Sequence, residues 1–292
     1  MDRSTRELQE ALEDELGVNL RFEYHPGAGT QIGQQAALEE DDAYTIGVAS
    51  LPAFNFTMIT GDAPYDLDDF AWVGNLLQDP GLIRVHEDDD RFDDINDLID
   101  YAVDNPGELS VSTSGPYNQN VLGLAHLEEI TGAEFNVVPY DGGGDARNAL
   151  VTQEVDFVHA NVFNSLGTAE DTRVLAVHAE ENEWADITDD APTFSDALGF
   201  DQEELRPNWP EVRYSWYISQ DAADAHPDRL EFLQDAFETA VNSETYEETL
   251  ADLSPPQETK RDYMSPEETE EANREKHETM EQFVDLMGEM TE

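Results

Sequence analysis

Three stretches of small and hydroxylated residues carry the chemistry this sequence can do, and that chemistry is the capture of an anion by backbone amides. The first is Ser112, Thr113, Ser114 and Gly115, which close a short apolar run and lead into a helical pattern from Asn118 to Ile130. The second is Tyr140 with Gly142 and Gly143, before a helical pattern over 145–152, and the third is Gly29 with Thr30, before a shorter helix. The first amides of a helix have no partner inside it and carry partial positive charge, so a turn that ends at a helix start presents donors to a carboxylate. Such turns are also what ordinary N-caps look like. Convergence of several on one cleft is what makes a binding site of them.

Four further residues bear on that site. His159 and Asn161 end the run VDFVHAN, at the strand end where parallel sheets hold ligands. A lone histidine there is commonly a satisfied structural residue. Ser50 follows a strand-like run and faces either the cleft or its own backbone. Arg147 is a scarce cation and is expected, like Arg173, to pair with neighbouring acids. The expected ligand-binding set is therefore Gly29, Thr30, Ser50, Ser112, Thr113, Ser114, Gly115, Tyr140, Gly142, Gly143, His159 and Asn161. Replacing Ser112 and Ser114 by alanine is expected to weaken carboxylate binding and leave folding alone.

Catalytic patterns are missing. There is no GxSxG elbow, and HLEEI at His126 lacks the second histidine of HExxH. The acidic runs GDAPYDLDDF and HEDDDRFDD do not have calcium-loop spacing. Gly27, Gly29 and Gly33 approach the dinucleotide fingerprint with one residue too many, and the following strand ends in Ala49, Ser50, Leu51 and Pro52 instead of the acid that would hold a ribose. A nucleotide- or NAD-dependent enzyme built on that turn is the alternative; the main reading has no cofactor, no metal and no catalytic residue.

The elements that must position these turns alternate. A charged amphipathic helix over Ser4 to Leu16 opens the chain, followed by an extended segment over Arg21 to Tyr24, the glycine turn, a helix from about Thr30, and a strand over Tyr44 to Val48. A turn-rich stretch from Leu51 to Phe70 precedes two apolar runs, a helix over Phe92 to Val103, and then strands and helices in alternation to TRVLAVHA. That spacing predicts an α/β fold with mainly parallel sheets. Beyond Pro192 come a short helix closed by Gly199, the strand YSWYIS, and helices to the end, the last with Phe283, Leu286 and Met287 at core spacing.

The formal charge of -54, from 68 acidic against 14 basic residues of which only Lys260 and Lys276 are lysines, makes nucleic acid an implausible partner. Acids spread along a chain with 9% aromatics describe a folded protein that salt must screen, which points to a halophilic source. No cysteine is present, so disulfides and thiolate chemistry are absent. No apolar run has the length of a membrane span, and the opening residues are not an export signal.

Taken in order, Pro26 to Gly29, Asp42 to Ile46, Ser112 to Gly115, Val138 to Gly143, Glu154 to Asp156, Arg173 to Val177 and Pro192 to Gly199 resemble the ordered motifs of the substrate-binding proteins of tripartite tricarboxylate transporters, the Bug or TctC-type family. The resemblance implies a two-lobed type II periplasmic-binding fold that closes over an organic carboxylate of the di- or tricarboxylate class, with membrane transporter subunits as partners. Lobe one is expected over 1–103 plus 215–292 and lobe two over 104–214. Family members carry a signal peptide, a first strand and a glycine loop ahead of the first helix. An upstream extension supplying these is expected, and with it an extracytoplasmic location.

Overall fold

The computed structural model of the chain describes residues 2–25, 30–61, 63–201 and 210–291. The chain forms two units, one of 1–78 with 213–277 and one of 79–212 with 278–292. The first division falls at 78/79 and not near 103, because the run GLIRVH after Pro80 pairs into the second sheet and takes the following helix with it.

Unit 1 is built on a four-stranded sheet of order β1-β8-β2-β9, with β1 Gly47–Leu51, β2 Phe70–Asp79, β8 Val212–Ser219 and β9 Arg261–Met264. Both faces of this sheet are covered, so β2 reads as a nearly continuous apolar run while its side chains still alternate. Ala71 and Val73 pack with Trp216 and Ile218 against helices α2 Gln9–Leu16 and Pro227–Val241, with Leu12 and Phe237 fully buried, and α1 Asp2–Glu7 lies against α2. Phe70 and Trp72 pack on the other face with Phe54, Tyr65 and Tyr217. The Phe70 ring lies 4.8 Å from Phe54 and 4.9 Å from Tyr217, both nearly perpendicular, which is the favoured edge-to-face geometry.

Unit 2 holds a five-stranded sheet of order β5-β4-β6-β3-β7, with β3 Gly81–His86, β4 Ser110–Thr113, β5 Asn136–Pro139, β6 Phe157–Asn161 and β7 Thr172–Val177. The expected parallel pairing is found where a helix intervenes: β4 runs parallel to β5 and to β6. β3 is antiparallel to both β6 and β7, and in unit 1 β1 pairs antiparallel with β8 and β9 with β2, so the pairing is not mainly parallel. The reason is connectivity, since β3 enters from unit 1 at the end of the sheet where β6 finishes, with Gly81 opposite Asn161.

Several sequence expectations move. Arg21 to Tyr24 joins no sheet; the segment is largely exposed, and its Phe22 lies 4.4 Å under the Arg6 guanidinium, so its alternation packs on a helix and pairs with no strand. The strand expected over Tyr44 to Val48 begins three residues later, at Gly47. The turn-rich stretch contains a helix, Ala53–Thr60, whose Phe54 anchors the aromatic cluster. The last helix, Pro266–Met290, buries Phe283 and Met287 as its spacing predicts, but leaves Leu286 only half-buried and buries Met280 as well.

Candidate functional site

In unit 2 the strands β4, β5 and β6 finish at one end of the sheet, and the helices α6 Gln119–Thr131 and α7 Gly143–Val151 start there. This end of a parallel sheet is where chains of this type receive ligands. The two helix starts differ. Asn118 caps α6 with its own side chain, its Oδ1 accepting from the amides of Asn120 at 2.8 Å and Val121 at 3.2 Å. At α7 the cap is Gly142, which has no side chain to cap with and a φ of 112° that glycine alone adopts without strain. The first-turn amides of α7 are therefore the ones left for an outside acceptor.

Beside that start is a recess of about 30 Å³ lined by Ser114, Gly143, Arg147, His159, Asn161 and Asn164 among others. Its space suits roughly two water-sized atoms, the two oxygens of a carboxylate. Arg147, one turn into α7, folds back over the first turn: a Cβ built on Gly143 would lie 2.9 Å from its Nη1. The expected acid partner is not there. Among the described residues no carboxylate comes within ion-pair distance of Arg147; Nη1 donates to Asn164 Oδ1 at the limit of 3.5 Å. Burial holds its pKa below the usual arginine value, opposed by the charge of Asp79. Arg173 likewise forms no ion pair among the described residues; it donates to the carbonyls of Asp89, at 2.8 Å, and Phe92, near enough for its charge to act on the Asp89 carboxylate.

The rest of the expected set divides by what its polar atoms already do. Ser112 is fully buried and donates to the Ala146 carbonyl at 2.7 Å, bracing α7 on β4, so its hydroxyl is not in the recess. Thr113 is buried too and donates to Gly115 O at 3.1 Å, and the same carbonyl receives Asn118 Nδ2 at 2.7 Å. Gly115, at φ 120°, closes that turn. Ser114 and Gly143 line the recess. Tyr140, half-buried, fixes the turn by donating its amide to Thr113 O at 2.9 Å.

Asn161 lines the recess with every polar position in use: Nδ2 donates to Asp79 O and Pro210 O, and Oδ1 accepts from Gln119 and Asn164. His159 Nδ1 sits 2.7 Å from Asn120 O, so that nitrogen carries the proton and Nε2 accepts from His178 Nε2 at 3.1 Å. Burial lowers its pKa to about 4, against the favourable hydrogen bond to Asn120, and the ring is neutral at neutral pH. Thr30 and Ser50 belong to unit 1. Thr30 is the N-cap of α3 Gln31–Leu38 with φ 87°, its hydroxyl accepting from Gln34 at 3.3 Å. Ser50 lies inside β1, opposite Tyr214, and does not follow the strand. Gly29 falls outside the described residues, as does Gly27 of the near-fingerprint. Among the described residues no group of acids and histidines is placed to hold a metal ion, and no helix is long and apolar enough to cross a membrane.

The model of the tripartite tricarboxylate transporter family receptor matches residues 4–278. BugT of Bordetella pertussis is 30% identical over 149 residues, 50% of this chain and 45% of that protein. The chain spans 45% to 60% of the length of three such curated relatives. Among solved structures, a TctC solute-binding protein from Polaromonas superposes with a TM-score of 0.77 at 18% identity, over 97% of this chain and 92% of that one. MatC of Rhodopseudomonas palustris with bound malate gives 0.71 at 18%, covering 100% and 94%, and a second protein of that organism with adipate gives 0.74 at 19%, covering 98% and 92%.

Proposed function

The chain belongs to the tripartite tricarboxylate transporter receptor family, and on that premise we propose that it captures a small organic carboxylate outside the membrane and delivers it to a membrane transporter. Members of the family are solute receptors and not enzymes. The observation that carries the carboxylate reading is the recess of unit 2, where the uncapped start of α7, the guanidinium of Arg147 and Ser114 meet in a chain of charge -54. A field of that sign opposes an anionic ligand at long range. Short-range donors in a screened recess overcome it, since salt damps distant charges more than contacts. The malate and adipate held by two structural neighbours are both dicarboxylates, which suits the same ligand class here.

Of the expected contacts, Ser114, Gly143 and the α7 amides form the anion contact proper. Gly115, Tyr140, Gly142, His159 and Asn161 shape it, and Ser112 and Thr113 hold its walls. Titration calorimetry in molar salt with succinate, malate, adipate and citrate tests the reading. Saturable heat with at least one acid is expected. Heat with NAD or ATP and none with any acid would replace this function with a nucleotide-dependent one.

A further inference from the structure

Arg147 is placed against its own stability. A cation at the start of a helix faces the positive end of the macrodipole, the reverse of the favourable arrangement. Here the guanidinium sits directly over the first turn of α7, in the space Gly143 leaves by lacking a Cβ. It is also partly desolvated. Elsewhere the same chain places acids beside its cations: Arg3 with Glu7, Arg6 with Asp2, Arg91 with Asp89 and Asp156, Arg213 with Asp262, Lys260 with Glu7 and Arg274 with Glu270. Arg84 and Arg173 also have no described carboxylate within ion-pair distance, but hydroxyl and carbonyl oxygens hold them, whereas the hydrogen bond described for Arg147 is the one to Asn164 at 3.5 Å, and that loose hold needs a cause.

A ligand carboxylate in the recess supplies it. The anion would sit between the α7 amides and the guanidinium, neutralising both positive groups at once. An arginine presents two parallel N–H donors that match the two oxygens of a carboxylate, which an ammonium cannot do. Asn164 Oδ1, itself fixed by the backbone amide of Asn161 at 3.4 Å, steadies the outer edge of the fork. We infer that Arg147 is the specificity-determining residue of this recess, a two-pronged clamp that requires one end of the ligand to be an ionised carboxylate and rejects its neutral amide. The inference rests on the carboxylate reading above and adds the residue that enforces it.

The test compares succinate with succinamide, its neutral diamide, by calorimetry on the full chain, unchanged and as Arg147→Met and Arg147→Lys, with a thermal melt of each protein without ligand. If succinate gives no heat with the unchanged chain, the diacid of that set giving most heat and its own fully amidated form replace the pair. The unchanged chain is expected to favour the diacid, which offers the clamp an ionised carboxylate, over the amide, which offers none. Arg147→Met should lower diacid affinity by about 10- to 100-fold, the worth of hydrogen bonds to a charged group, and should shrink the diacid-to-amide ratio. Arg147→Lys should fall between, because it keeps charge and loses the fork. The melting temperature of Arg147→Met without ligand should hold or rise, since a repulsion is removed. Equal diacid affinity in Arg147→Met and the unchanged chain overturns the inference and leaves the receptor function standing. So does a ratio that survives Arg147→Met. A lower melting temperature in Arg147→Met makes the arginine structural, and in that case a normal diacid affinity in Arg147→Lys overturns the clamp. Absence of heat with every acid in the unchanged chain defeats the receptor reading and the inference with it.

Discussion

Lys260 of unit 1 and Arg147 of unit 2 are cations in one strongly acidic chain, in opposite circumstances. Lys260 is 3% exposed and sits inside the packing of its unit, its Nζ 2.5 Å from Glu7 Oε2 and 3.2 Å from Gln257 Oε1. Arg147 is half-buried at a recess, with no described carboxylate in reach. A buried charge left alone is costly, and a matched one is tolerated. In unit 1 the positive charge ties the first helix to the strand and helices that end the unit. In unit 2 it is left for an anion that arrives from outside.

Breaking the matched pair should therefore be a stability event and nothing else. Lys260→Met leaves the Glu7 carboxylate with the exposed Arg3 as its remaining described cation and is expected to cost about 1.5 to 3 kcal/mol in denaturant unfolding at high salt, the worth of a hydrogen bond to a charged group. Glu7→Leu added to it should restore much of that loss. A change in carboxylate affinity of the folded variant would break the contrast between the two regions.

The histidine beneath the recess gives the next largest effect. His159 is held near pKa 4 in the folded chain, below the ordinary value of 6.5, so the unfolded state binds the proton more readily. Its contribution is complete above pH 6.5 and is lost as the pH falls from there through about 4. Stability of the unchanged chain minus that of His159→Gln should fall with pH in that window by up to about 1.4 kcal/mol per unit. A flat difference would mean that His178, the ring that faces it, holds the proton.

Smaller effects separate wall from contact. Ser112→Ala removes a buried hydrogen bond and should cost about 1 kcal/mol of stability with little loss of affinity, while Ser114→Ala should do the reverse. This revises the expectation that both serines matter for ligand alone. Asn118→Ala strips the cap of α6 and should cost about 1 kcal/mol in the same unfolding assay. An affinity loss in Asn118→Ala matching that in Ser114→Ala would place the ligand at α6 and not at α7.

The sequence made the order of elements in unit 2 legible, because glycines and prolines punctuate runs of clear period, as at Asn118 to Gly132 and at Val138 to Gly143. It was weaker in unit 1, where Phe22 and Tyr24 alternate without a strand partner and Phe54 sits on a helix hidden among turn residues. Sheet direction was half legible: intervening helices announce β4, β5 and β6 as parallel, but nothing in GLIRVH reports that it runs the other way. At the site, turn chemistry pointed to loops of unit 2 from which Ser114 and Gly143 line the recess. It could not show that Ser112 points inward to Ala146, which depends on which face of β4 meets α7. Abundant acids make an acid partner the natural expectation for Arg147, and the structure instead sets its guanidinium over Gly143 with no described carboxylate within ion-pair distance. Its spacing from Gly143, i to i+4 on a helix whose start has no capping side chain, was the available signal.

The most direct test of the account is a crystal structure of the chain grown in high salt with a saturating dicarboxylate. The account predicts one carboxylate in the unit 2 recess, its two oxygens about 2.7 to 2.9 Å from the Arg147 guanidinium and within hydrogen-bond reach of the Gly143 to Asp145 amides. Density for the acid elsewhere, with only solvent against Arg147, would contradict it.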